Sequence, residues 1–71
     1  MIKITRYGNF VLIDDRINAT FIDLRAVVSI YYNDDDKIIY FETEKENYES
    51  SPFRDKTEAL LWLSKILKNG G

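Results

Sequence analysis

Apolar residues keep one rhythm as far as Ser50-Ser51-Pro52 and another beyond it. In the first part they recur mostly at every second position, with β-branched and aromatic types dominating. In the second part Ala59, Leu60, Leu63, Ile66 and Leu67 recur at intervals of three and four. A period of two belongs to strands and a period of 3.6 to a helix. The pattern therefore predicts an α+β fold: a small antiparallel meander of four to five strands within residues 2–50, packed by one C-terminal helix over about residues 54–69. Residues 1–71 are read as one α+β domain.

The first strand expected is Ile2 to Tyr7. Gly8-Asn9 follows as a two-residue hairpin signal, since both residue types tolerate positive φ. Phe10 to Ile13 returns as a second strand whose four apolar residues suggest partial burial on both faces, and Asp14 to Asn18 reads as a loop. Ala19 to Leu24 and Val27 to Tyr32 are strand-like, with a bend, a bulge or one helical turn needed at Asp23 between them. Asn33-Asp34-Asp35-Asp36 is the clearest turn, setting up a hairpin with Lys37 to Thr43. Glu44 to Asn47 is a second polar turn, and Tyr48 to Ser50 a short last strand.

Asp55 with Glu58 three positions on has capping-box spacing, while Ser51-Pro52 offers an alternative helix start. Lys65 and Lys68 suit the last turn, and Gly70 the position after it. The Leu60/Leu63/Leu67 face is expected to lie across the sheet. The expected core is Ile2, Ile4, Leu12, Ile22, Val28, Ile30, Ile39, Phe41, Leu63, Ile66 and Leu67.

Seventy-one residues with 45% hydrophobic content are enough for a small core. Cysteine and histidine are both absent from the sequence, which removes disulfides, zinc-thiolate sites and the commonest general base. The net charge of -2 gives no basic excess for nucleic acid or anionic membrane. No apolar run approaches the ~20 residues of a bilayer span, and Met1 to Arg6 is too polar for a secretory segment. A cytoplasmic protein is the expectation.

Catalytic chemistry finds little to work with. Ser29, Ser50, Ser51 and Ser64 sit in no nucleophile motif, and three glycines cannot make a phosphate loop. The aspartates Asp34, Asp35 and Asp36 are consecutive and lack the turn glycine of a calcium loop. No catalytic, cofactor or metal residues are assigned, and a non-enzymatic protein is expected. Tyr31, Tyr32, Tyr40 and Phe41 lack the cationic groove that stacking on nucleic acid requires; Tyr32 and Phe41 are expected in the core, with Tyr31 and Tyr40 paired on the outer face.

Two surfaces remain. Tyr31, Tyr40, Leu61 and Trp62 form a candidate interaction surface for a protein partner. Asp34, Asp35, Asp36, Glu42, Glu44 and Glu46 form a candidate acidic surface, with the three glutamates expected on one side of a strand. The first suits a protein-binding or regulatory adaptor, the second an acidic inhibitor or nucleic-acid mimic that engages a basic protein. A homodimer, through an edge strand or the Leu61/Trp62 side, would add to a core that nets only a few kcal/mol.

Met1-Ile2-Lys3-Ile4-Thr5-Arg6, Gly8 and Phe10, then Asp23-Leu24, Val28-x-Ile30, Ile38-Ile39-Tyr40-Phe41 and Tyr48-Glu49-Ser50, resemble the layout of small bacterial FlbD/SwrD-type flagellar proteins. The resemblance covers most of the chain but departs in the longer acidic hairpin and in Ser51 to Lys56. It implies a non-enzymatic accessory protein and transfers no functional residue. The architecture equally suits a small accessory protein of phage origin.

Overall fold

A computed structural model describes residues 3–14 and 18–68. The expected roles of Ile2, Gly70 and the Asp15-Arg16-Ile17 part of the first loop lie outside these residues. The elements are β1 (Lys3–Tyr7), β2 (Phe10–Asp14), β3 (Ala19–Asp23), one 3-10 turn (Leu24–Ala26), β4 (Val27–Asn33), β5 (Ile38–Thr43), β6 (Asn47–Glu49) and α1 (Lys56–Lys68). The α+β class stands, with six strands among the described residues where four to five were expected. They form two antiparallel three-stranded sheets, β1-β2-β3 and β4-β5-β6, instead of one meander.

The division falls at Asp23. Its carboxylate accepts the Arg25 N–H at 2.9 Å and so starts the 3-10 turn that carries the chain from one sheet to the other. Gly8, with a φ of 58°, sits at the first central position of the β1–β2 hairpin and pairs Tyr7 with Phe10. In the β4–β5 turn the Asn33 side chain accepts the Asp35 N–H, and the Asn33 carbonyl accepts from Lys37 at 2.8 Å. Lys37 there adopts a left-handed φ of 62°.

One core joins both sheets and the helix. Ile4, Val11, Ile13 and Ile22 come from the first sheet, Ile39 and Phe41 from the second, and Phe53, Ala59 and Ile66 from the C-terminal segment. Leu24, Val27, Ile30, Tyr32, Tyr48, Trp62 and Leu63 pack around them. Val11 and Ile13, not Leu12, are the buried residues of β2. The tight Gly8-Asn9 turn sets Ile4 opposite Ile13 and Arg6 opposite Val11, so burying Ile4 buries the odd-numbered side of β2.

Val28, expected in the core, is 68% exposed. The ladder runs Val27↔Thr43 and then Ser29↔Glu42, leaving Val28 as the extra residue of a bulge. The bulge shifts the alternation by one, which turns Val27 and Ile30 toward the core and Val28 outward.

The helix begins one residue after Asp55, whose carboxylate accepts the Glu58 N–H at 2.9 Å; Glu58 in turn accepts the Arg54 N–H. Asp55, and not Ser51, is therefore the cap. The buried face is Ala59 and Ile66, flanked by Trp62 and Leu63. Leu60 and Leu67 are exposed, which corrects the expected Leu60/Leu63/Leu67 face by nearly a quadrant, about 80° at 100° per residue. The helix lies against β1 and β4, one edge strand of each sheet, and that narrow bed admits the small Ala59 and the Ile66 one face apart from Leu67. At its far end the Arg6 guanidinium donates to the Ile66 carbonyl at 2.9 Å, a cation on one of the last free carbonyls of the helix.

Ser50 is the buried polar residue of this core. Its hydroxyl accepts the Ile39 N–H at 3.0 Å and donates to the Ser51 carbonyl at 2.9 Å, while its own N–H donates to Ile39 C=O. Phe53 then donates to Lys37 C=O at 2.8 Å, holding its ring against the core as the chain crosses to the helix. No helix among the described residues is long and apolar enough to cross a membrane.

Candidate functional site

Burying Ile4, Val11, Ile13 and Ile22 on one side of the first sheet turns the alternate residues of the same strands outward. The register aligns Thr5, Leu12 and Phe21 in one row and Tyr7, Phe10 and Asp23 in the next. Tyr7 is 56% exposed, Phe10 40% and Phe21 59%. The Tyr7 and Phe21 rings, on the two outer strands, approach to 6.3 Å between centroids at an angle of 51°. They reach across β2, and Leu12 beneath them is half-buried.

The same face carries Asp23, in the Tyr7/Phe10 row, and the exposed Asp14, two residues beyond Leu12 and opposite Ala19. Asp23 is held by Arg25 through two bonds of 3.0 Å, with the guanidinium Nε and Nη2 donating to separate carboxylate oxygens. That hydrogen-bonded pairing lowers the Asp23 carboxyl below its ordinary range and raises Arg25. Three aromatics that would each bury about 150–250 Å², each roughly half exposed, leave on the order of 300 Å² of apolar surface in one patch.

The outer face of the second sheet has a different chemistry. Tyr31 and Tyr40 are cross-strand partners and stack at 5.1 Å with an interplanar angle of 18°, as expected for that pair. Glu42 and Glu49 flank Tyr40 on the same face. The Tyr40 hydroxyl donates to the Asp36 carboxylate, and this bond, with burial second, pushes its phenol up to about 12. A phenol raised in the folded state contributes stability that is complete below its unfolded value of about 10 and is lost as pH rises from there through about 12. Phenolate absorbance should accordingly show Tyr40 ionising near pH 12, and Asp36→Ala should bring it back toward 10; identical titrations of the two proteins would refute the assignment.

Tyr48 is likewise raised, by its hydroxyl bond to Glu46 and then by burial. The Tyr32 phenol is raised by burial first and by the nearby Asp34 carboxylate next.

The candidate interaction residues thus separate into two pairs. Tyr31 and Tyr40 lie on β4 and β5. Leu61 and Trp62 lie on α1, where Leu61 is 62% exposed and Trp62 is half-buried against the core with the Lys65 ammonium 5.5 Å from its ring centroid. The acidic residues do not share one strand face either. β5 ends at Thr43, and Glu44 and Glu46 occupy the β5–β6 turn, where the Glu46 carbonyl accepts both the Thr43 N–H and its hydroxyl. Asp36 is engaged by the Ile38 N–H and by Tyr40, and Asp34 interacts with the Tyr32 phenol, while Asp34 and Asp35 are both exposed in that turn. Among the described residues no group of three or more aspartates or glutamates converges to hold a metal ion.

Periodicity could have revealed the Tyr7/Phe10/Phe21 face. Once the Gly8-Asn9 turn fixes the register and Ile4 fixes the inner side, Tyr7 and Phe10 must share the outer one. The fold and this face define a class: a small α+β domain of two three-stranded sheets and one helix, with an aromatic patch left open on one sheet face. No family model, no curated protein and no solved structure matches the chain.

Proposed function

We propose that this chain is a non-catalytic protein-binding adaptor that docks a partner on the outer face of β1-β2-β3. The observation that carries the reading is the exposure of Tyr7, Phe10 and Phe21 together as one aromatic patch, whose neighbour Asp23 is paired with Arg25. A patch of three aromatic rings selects a partner whose contact surface is itself apolar, so binding is governed mainly by area and only weakly by ionic strength. Covering ~300 Å² at ~25 cal/mol per Å² gives roughly 7 kcal/mol before an association cost of about 4–15 kcal/mol. The partner therefore has to gain further contacts around the rim. The resemblance to FlbD/SwrD-type flagellar proteins points the same way, to an accessory role without chemistry.

The alternative, an acidic inhibitor or mimic, draws support from Glu42, Glu49 and Asp36 around Tyr40, but Glu44 and Glu46 stand apart from that face. Capture from source-cell extract at low and high salt separates the two. The adaptor reading expects a protein retained at both salt concentrations by the native chain and lost by a Tyr7→Ser/Phe21→Ser bait. A protein eluted by salt and indifferent to those substitutions would support the acidic reading instead.

A further inference from the structure

Each sheet has two edges, and the four differ in how they are protected. β1 and β4 lie against α1. β6 is only three residues long, carries exposed Asn47 and Glu49, and runs directly into the Ser50–Phe53 segment that bonds back to β5. Short length, charge and a covering helix are the usual protections against edge pairing. β3 has none of them: it is five residues, Ala-Thr-Phe-Ile-Asp, whose one charge is at its end and is paired with Arg25. Among the described residues no other strand pairs with its second edge.

The backbone groups on that edge can be assigned. The two-residue turn makes Tyr7 and Phe10 a hydrogen-bonded pair, so Phe10 and Leu12 address β1 and Val11 addresses β3. Its partner Ile22 therefore faces β2, and the Leu24 N–H bond to Asn9 C=O, two residues on, keeps the same phase. It follows that Phe21 and Ala19 aim their N–H and C=O groups outward. A cleft of about 460 Å³, lined by Ile22, Asp23, Arg25, Glu44, Lys45 and Tyr48, leaves room beside the C-terminal half of the strand.

We infer that the β3 edge pairs antiparallel with β3 of a second copy of this chain, about a two-fold axis at Phe21. The strand is complementary to itself in that arrangement. Phe21 meets Phe21 as an aromatic cross-strand pair, and each Asp23 meets the small uncharged Ala19 of the other copy, so the two aspartates stay at opposite ends. The result is one six-stranded sheet with both Tyr7/Phe10/Phe21 faces on the same side, a docking surface shared by the two copies. Five paired residues bury less than the ~800 Å² per partner of a standard interface, so the dimer is weak and concentration-dependent. The pairing stands independently of what the face binds.

Light scattering and amide exchange on the native chain, from about 10 µM to about 1 mM, test it. The mass should climb from 8.4 kDa toward twice that value. The Phe21 amide should become protected over the same range, while the Ile22 amide is protected throughout. Phe21→Lys, which sets two cations opposite each other, should weaken association about tenfold or more, and Leu60→Lys, on the exposed side of α1, should leave it unchanged. A constant mass of 8.4 kDa with a freely exchanging Phe21 amide at the highest concentration would overturn the inference. So would a dimer whose Phe21 amide still exchanges freely, which would mean face-to-face stacking in place of edge pairing.

Discussion

Phe41→Ala is expected to remove about 3–5 kcal/mol of stability, and Val28→Ala next to nothing. Phe41 is fully buried, opposite Ile30 on one side and Tyr48 on the other, and is the largest fully buried side chain of the core that joins the two sheets. A domain of this length holds roughly 4–11 kcal/mol in total, so this single truncation takes about a quarter of it or more. In a thermal melt that corresponds to a fall of at least about 12 °C. Val28 is its counterpart in the sequence pattern, an apolar residue in strand phase, yet the bulge turns it to solvent. Equal losses from the two substitutions, or a Phe41→Ala protein within about 1 kcal/mol of the native one, would contradict the core as described.

Ser50→Ala should cost about 1–3 kcal/mol, more than a surface serine can. Its hydroxyl is the acceptor for the Ile39 N–H at a point where the neighbouring chain bends away toward the helix. Deleting it strands a buried backbone donor beside the fully buried Ile39 side chain. Ser50→Thr, which keeps the hydroxyl, should retain most of that stability, although its extra methyl must be accommodated. Urea melts of the two proteins separate the hydrogen bond from the volume change: equal destabilisation by alanine and threonine would assign the effect to packing alone.

What could be read from the sequence and what could not differ for definite physical reasons. The strand-to-helix change, the Gly8-Asn9 and Asn33–Asp36 turns, the Asp55 cap and the Tyr31–Tyr40 pair are local, set by residues within a few positions or by one hairpin register. The phase of β2 was implicit in the Gly8-Asn9 turn, but the apolar run Phe10 to Ile13 satisfies either face and hides it. The Val28 bulge left no local mark, because Val27 and Val28 are the same residue type and only pairing with β5 tells them apart. The helix arc was displaced for a related reason: its leucines surround the small Ala59, and the approach of β1 and β4 decides which of them is covered. Phe53, Ser50 and Arg6 act through bonds to residues far along the chain or in irregular backbone, where periodicity carries no signal.

The same competition explains the candidate site. Tyr31 and Leu61 stand out in the sequence as exposed apolar residues, and both are exposed in the fold. Tyr7, Phe10 and Phe21 look like ordinary members of alternating strands, and only the register shows that they come together on one outer face.

That face is where the functional reading rests. Its most direct test is an amide chemical-shift map of the isotope-labelled chain titrated with the partner it retains at high salt. The adaptor reading predicts shifts concentrated at Tyr7, Phe10, Leu12 and Phe21, with β5 and α1 unmoved. Shifts confined to Tyr31, Tyr40 and Leu61, or to the Asp34–Glu46 hairpin, with β1-β2-β3 unchanged, would contradict it.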